Sequence, residues 1–129
     1  MSTQSSYKQL ILVDDDPLVH FMVKKYLEIA QINIPMLSFY NGLELLEYVA
    51  GSLSSKSLIL LDLSMPIASG WDFLESYRKL SVAQKECFRI YIMSSSIDPN
   101  DLTRMEEYDE VIDFLPKPIT DKTLIKVLV

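Results

Sequence analysis

Apolar residues along the chain fall into five short, nearly continuous runs separated by longer stretches with helical spacing. The runs are Gln9–Val13 (QLILV), Pro35–Phe39, Ser57–Leu61 (SLILL), Phe88–Met93 (FRIYIM) and Val111–Leu115. Runs of this length, rich in aliphatic, β-branched and aromatic residues, predict strands. One that is apolar throughout, as at 57–61, is expected of a strand covered on both faces. Between them, Leu18, Met22, Tyr26 and Ile29 recur at helical spacing over 18–30, after Pro17 in the first turn, where its missing N–H is harmless. A second stripe comprises Leu43, Leu46, Val49, Ala50 and Leu53, entered by an Asn41-Gly42 turn and left through Gly51 and a serine-rich loop. A third helix is predicted over 69–80 with Phe73, Leu74, Tyr77 and Leu80 inward. A weaker fourth covers 99–108 through Leu102 and Met105, and a last one starts near Thr120 and includes Leu124, Ile125 and Leu128.

Five strand–helix units in about 120 residues imply parallel strands joined by right-handed crossovers. The predicted fold is therefore α/β, a doubly wound five-stranded parallel sheet with helices on both faces. Residues 1–8 read as a short N-terminal tail and 9–129 as one domain.

Composition narrows the function. The chain has 129 residues, 49% of them apolar, so a core is available and disorder is not expected. Twelve Lys and Arg against eighteen Asp and Glu give a net charge of −6. That balance argues against binding nucleic acid or an anionic membrane surface. The single cysteine, Cys87, forms no internal disulfide, and no Cys/His group has zinc spacing. The first ten residues do not read as a signal peptide, and no apolar stretch is long enough to span a bilayer. A cytoplasmic location is expected from these features.

The chemistry sits where the strands end. In doubly wound sheets the ligand site lies beyond the carboxyl ends of the strands. Asp14, Asp15 and Asp16 follow the first strand, Asp62 the third, Ser94 the fourth and Lys117 the fifth. Crowded carboxylates repel unless a cation offsets their charge. Magnesium does so with one or two carboxylates while keeping positions for phosphate. An aspartate can accept a phosphoryl group, a lysine can balance its charge, and a serine hydroxyl can hydrogen-bond its oxygens. The set points to phosphoryl transfer onto aspartate.

Four segments, ILVDDDP at 11–17, LLDLSMPIASG at 60–70, IMSSS at 92–96 and FLPKP at 114–118, resemble the receiver domain of bacterial two-component response regulators, of the chemotaxis (CheY-like) type. The resemblance runs from Gln9 to the end of the chain and implies a flavodoxin-like sheet of strand order 2-1-3-4-5. It implies that Asp62 is the phosphoacceptor and that Asp14 and Asp15 organise Mg2+, with Asp62 and the backbone carbonyl of Ser64 completing the protein ligands. Ser94 and Lys117 would hold the phosphoryl group, Ser94 and Phe114 would act as the switch pair, and Pro118 would follow a cis peptide bond. Ser64 and Ser96 occupy the variable positions that tune phosphoryl lifetime. The implied donors are a histidine kinase or a histidine phosphotransfer protein. The implied output is a downstream protein bound at the face formed by the fourth helix, fifth strand and last helix, through which receivers also form homodimers. The role is a phosphorelay switch that takes part in its own phosphorylation and dephosphorylation rather than a metabolic enzyme. A stand-alone regulator and a receiver cut from a longer protein are both compatible with the sequence.

The chain departs from the family where EEYDEV (106–111) replaces the small residues usual before the fifth strand. Two other readings are a receiver-like interaction module that takes no phosphoryl group, and a haloacid-dehalogenase-like phosphohydrolase with Asp14 as nucleophile. Asp14, Asp16 and Leu18 fit the latter's motif imperfectly. Asp16 is expected to cap the first helix. His20, the sole histidine, is assigned no role, and Trp71 is placed near Asp62. Segment 98–113 carries seven acidic residues against Arg104, a balance of −6, read as a solvated face or as a surface selecting a basic partner.

Overall fold

The computed structural model describes residues 4–51, 56–96 and 98–129. Its strands are β1 (Gln9–Val13), β2 (Met36–Phe39), β3 (Ser57–Asp62), β4 (Phe88–Ser94) and β5 (Val111–Pro116). All pairings are parallel, in the order β2-β1-β3-β4-β5. The helices are α1 (Pro17–Ile29), α2 (Gly42–Ala50), α3 (Gly70–Tyr77), α4 (Val82–Glu86), α5 (Pro99–Met105) and α6 (Asp121–Leu128). This is the doubly wound, flavodoxin-like α/β sheet expected from the sequence.

Alternation along the strands divides the core into two layers. Ile11, Val13, Ile59, Leu61, Ile90 and Ile92 face α2 and α3, where Leu45, Val49, Phe73, Leu74 and Tyr77 close over them. Leu10, Leu12, Leu58, Leu60 and Met93 face α1 and α6, against Val23, Leu27, Leu124, Val127 and Leu128. β3 lies mid-sheet and every one of its residues is buried, which accounts for its unbroken apolar run. In the described part of the N-terminal segment, Ser5 Oγ donates to the Leu128 carbonyl at 2.6 Å and Lys8 N–H to the Lys56 carbonyl at 2.8 Å.

Several helix faces differ from the expected stripes. On α1 the buried residues are His20, Val23 and Leu27, while Leu18 and Ile29 are over 60% exposed. The two stripes have the same spacing, and the sheet selects the one that meets Leu10, Leu12 and Leu58. On α2, Leu45 and Val49 are buried, whereas Leu43 and Ala50 are exposed; Leu53 lies outside the described residues. Asn41 is the N-cap of α2 rather than part of a free turn, its side chain accepting from Glu44 N–H at 2.9 Å. Ile125 of α6 and Leu102 of α5 are exposed. The third helix ends at Tyr77, and the short α4, capped by Ser81, fills the link to β4.

Candidate functional site

β1 and β3 are adjacent and in register, with Val13 opposite Leu61, so the residues that end them emerge side by side. Asp14 is 1% exposed and Asp62 5%, while Asp15 is exposed at the mouth of the site. An oxygen from each of these three carboxylates lies within 4.8 Å of the others. Asp16 caps α1 as expected, its Oδ1 accepting from Leu18 N–H at 2.9 Å. Its own N–H donates to Asp14 Oδ1 at 2.9 Å.

Lys117 enters from the end of β5. Its backbone N–H donates to the Ser94 carbonyl at 2.9 Å, extending the β4–β5 pairing past the strand, and the Lys117–Pro118 peptide is cis. Its Nζ lies 2.6 Å from Asp14 Oδ2 and 3.3 Å from Asp62 Oδ1, joining residues 103 and 55 positions away. Burial, then the Asp14 charge, push the Asp62 carboxyl above its ordinary value; Lys117 and the Ser64 N–H pull the other way without cancelling them. Burial acts to lower the Lys117 ammonium, but its bond to Asp14 and the charges of both aspartates outweigh it, so it stands above its ordinary value. Three carboxylates against one ammonium leave a formal charge of −2 at the site. A hard cation with oxygen ligands fits that donor set: Asp15 is open, and Asp62 has only the longer of the two contacts to Lys117.

The loop after β3 is held close to the sheet. A Cβ on Gly70 would stand 2.6 Å from the Asp62 carbonyl oxygen and 2.9 Å from Leu63 Cα, so only glycine allows α3 to start so near Asp62. Between them, Ile67 has φ +69°, a strained value for a β-branched residue, and is exposed. Ser64 is exposed two residues beyond Asp62.

Ser94 is half-buried at the end of β4. Its Oγ donates to the Ser96 carbonyl at 2.8 Å and accepts from Ser96 N–H at 3.2 Å, so the hydroxyl is engaged within its own loop. Phe114 pairs with Ile92 and packs, half-buried, on the α2–α3 layer. Pro118 is exposed and, with Ile119, Leu18, Met22 and Tyr26, lines an apolar cleft of about 140 Å³ beside Lys117. The α1 residues expected in the core thus border the site. Their spacing carried no sign of this, since either stripe satisfies the helical period.

His20 is buried, its Nε2 lying 2.7 Å from the Asp14 carbonyl, and its ring stacks on Tyr40 at 4.4 Å. Trp71 packs in another cluster: the Arg104 guanidinium lies 4.5 Å over its ring, and Tyr108 is 6.2 Å away. Tyr108, within the EEYDEV segment, is buried and donates to Glu75 Oε1 at 2.6 Å, while Arg78 covers its ring at 4.9 Å. The acidic segment is partly committed. Asp98 and Asp101 form a capping box on α5, and Glu110 meets Lys85 at 3.2 Å.

The chain is similar in structure to receiver proteins of several bacteria. A response regulator receiver protein from Dyadobacter fermentans is 25% identical, with a TM-score of 0.80 over 97% of this chain and 94% of that one. A two-component response regulator from Cytophaga hutchinsonii is 23% identical, with a TM-score of 0.77 over 98% and 94%. The Vibrio cholerae chemotaxis protein CheY4 is 21% identical, with a TM-score of 0.75 over 94% and 95%. No curated protein matches the sequence closely enough to count as a relative. The family model described as the response regulator receiver domain matches residues 10–129, and the chain therefore belongs to the response regulator receiver family, the signalling switches of two-component systems.

Proposed function

We propose that this receiver accepts a phosphoryl group on Asp62 from the phosphohistidine of a histidine kinase or phosphotransfer protein, with Mg2+ as cofactor. The observation that carries the reading is the buried Asp62, joined through Lys117 to Asp14 and bordered by the exposed Asp15. A carboxylate oxygen of Asp62 attacks phosphorus; the P–N bond of the donor breaks and its imidazole leaves with the electron pair. Lys117 balances charge on the acyl phosphate. Asp14, Asp15, Asp62 and the Ser64 carbonyl would hold magnesium, which when bound would neutralise the crowded oxygens. The apolar cleft beside Lys117 offers the donor a docking surface adjoining the acceptor.

Ser94 leaves Ser96 and turns to the phosphoryl oxygens, and Phe114 turns into the space it vacates. The surface of α5, β5 and α6 changes with it. These elements expose Leu102, Ile112 and Ile125, one large apolar residue each, which suits a downstream protein or a second copy of the chain. Ser64 and Ser96 set the lifetime of the acyl phosphate, which the domain itself helps to hydrolyse. Asp14 makes a poor nucleophile by comparison, because it is the more buried of the two and takes the shorter Lys117 contact, 2.6 Å against 3.3 Å for Asp62.

The test is intact mass after incubation with acetyl phosphate and MgCl2, beside Asp62→Asn. One phosphoryl gain in the wild type and none in the variant is expected. A gain that persists in Asp62→Asn means the acceptor is elsewhere. No gain in the wild type despite measured magnesium binding supports an interaction module that takes no phosphoryl group.

A further inference from the structure

Asp14 is held at each of its polar positions. Its N–H donates to the Phe39 carbonyl at 3.1 Å, the last rung between β1 and β2. One carboxylate oxygen accepts from Asp16 N–H, and the other meets Lys117. The remaining atom, its carbonyl oxygen, lies 2.7 Å from His20 Nε2, six residues on in the second turn of α1. A carbonyl only accepts, so Nε2 carries the proton and donates.

The peptide plane makes this bond consequential. The carbonyl of Asp14 and the N–H of Asp15 belong to one rigid unit, so fixing the first fixes how the chain enters Asp15. One bond from His20 therefore orients the junction between Asp14 and Asp15, the two carboxylates of the first loop that face Asp62. The ring is itself fixed, being buried and stacked on Tyr40 at the end of β2.

The other ring nitrogen argues against a space-filling role. Nδ1 is buried with no hydrogen-bond partner, the only side-chain atom so left among the described residues. A buried unpaired nitrogen is unfavourable, and an apolar ring would fill the same volume without one. What histidine offers here that phenylalanine does not is the donor to Asp14.

We propose that His20 is a positioning residue of the acidic site: its bond to the Asp14 carbonyl holds the Asp14–Asp15 junction in the arrangement that binds a divalent cation. The inference rests on the magnesium reading given above. Outer-shell partners of metal ligands typically change affinity about 10–100-fold when removed.

The experiment is calorimetric titration of the full chain with MgCl2, with melting in EDTA as the control for folding. His20→Phe keeps a ring against Tyr40 and removes the donor; His20→Asn has an amide too short to reach. Both are expected to bind magnesium at least about tenfold more weakly while melting cooperatively. His20→Gln, whose amide reaches the position of Nε2, is expected to stay within about threefold of the wild type. Wild-type affinity in a folded His20→Phe or His20→Asn overturns the inference, as does equal weakening in His20→Gln. Failure of the wild type to bind magnesium overturns the magnesium reading and this inference together, whereas binding that ignores position 20 overturns the inference alone.

Discussion

Asp14 and Glu110 both meet a lysine across the fold, yet their settings have little in common. The Lys117–Asp14 contact is 2.6 Å long and Asp14 is 1% exposed; the Lys85–Glu110 contact is 3.2 Å long with each side chain about one-fifth exposed. The first belongs to the centre of the sheet, where β1 and β3 run through the core and leave their ends no freedom. The second belongs to the flank of α5 and β5. There α5 buries none of its residues, β5 is a sheet edge, and its register shifts between Ile90 and Tyr91. Hydrophobic burial on both faces fixes Asp14 and Asp62, whereas the flank adds to its one-sided packing an aromatic clasp of Trp71, Arg104 and Tyr108 and the Lys85–Glu110 ion pair. Segments with few buried contacts open at the lowest free energy, so the flank is the part expected to yield before the centre of the sheet.

Equal truncations in the two regions should separate them most widely. Leu60→Ala, in the buried β3, is expected to destabilise by about 3 kcal/mol, while Leu102→Ala, exposed on α5, should cost under about 0.5 kcal/mol. Urea unfolding of both variants measures the contrast, and equal losses would remove it. Gly70→Ala forces the loop away from Asp62 and should cost about 1–3 kcal/mol. Its phosphorylation by acetyl phosphate should fall with it, to a degree that Leu102→Ala does not approach.

The raised Asp62 carboxyl gives the central region a pH signature without metal. A carboxyl raised in the folded state contributes stability that is fully present below its unfolded value of about 3.8 and is lost as pH rises through the folded value. Asp62→Asn removes that loss. In EDTA the variant should melt above the wild type at pH 7, with a smaller gap at pH 4; a gap that does not grow with pH would show that Asp62 ionises freely. Arg104→Ala, on the flank, has a small expected effect. Loss of the cation–π contact should cost about 0.5–1 kcal/mol and shift the emission of Trp71, the sole tryptophan, without altering magnesium binding.

Much of the central region was legible in the chain itself. Strand runs such as SLILL announce burial on both faces, and the first, third and fourth are followed directly by Asp14, Asp62 and Ser94, where such sheets place their ligands, with Lys117 just beyond the fifth. Asp14, Asp62 and Lys117 are thus grouped by their positions in the sequence alone. The flank was less legible: Leu102 and Ile125 read as core residues and are exposed, while Tyr108, in a run of acids, is buried against Glu75 and Arg78. Short amphipathic pieces carry too few residues for their period to show which side meets the sheet.

The sequence by itself determined the alternation of elements, the central buried strands and the chemical types gathered at their ends, because these follow from local pattern and from the rules for joining parallel strands. Tertiary structure decided which stripe of α1 turns inward, putting His20 under Asp14 and leaving Leu18 and Met22 beside Lys117. It also decided that the Ser94 hydroxyl rests on Ser96. Helical spacing is satisfied by several faces at once, and a hydroxyl bonds to whatever its loop presents. Only the packed neighbours choose among those options.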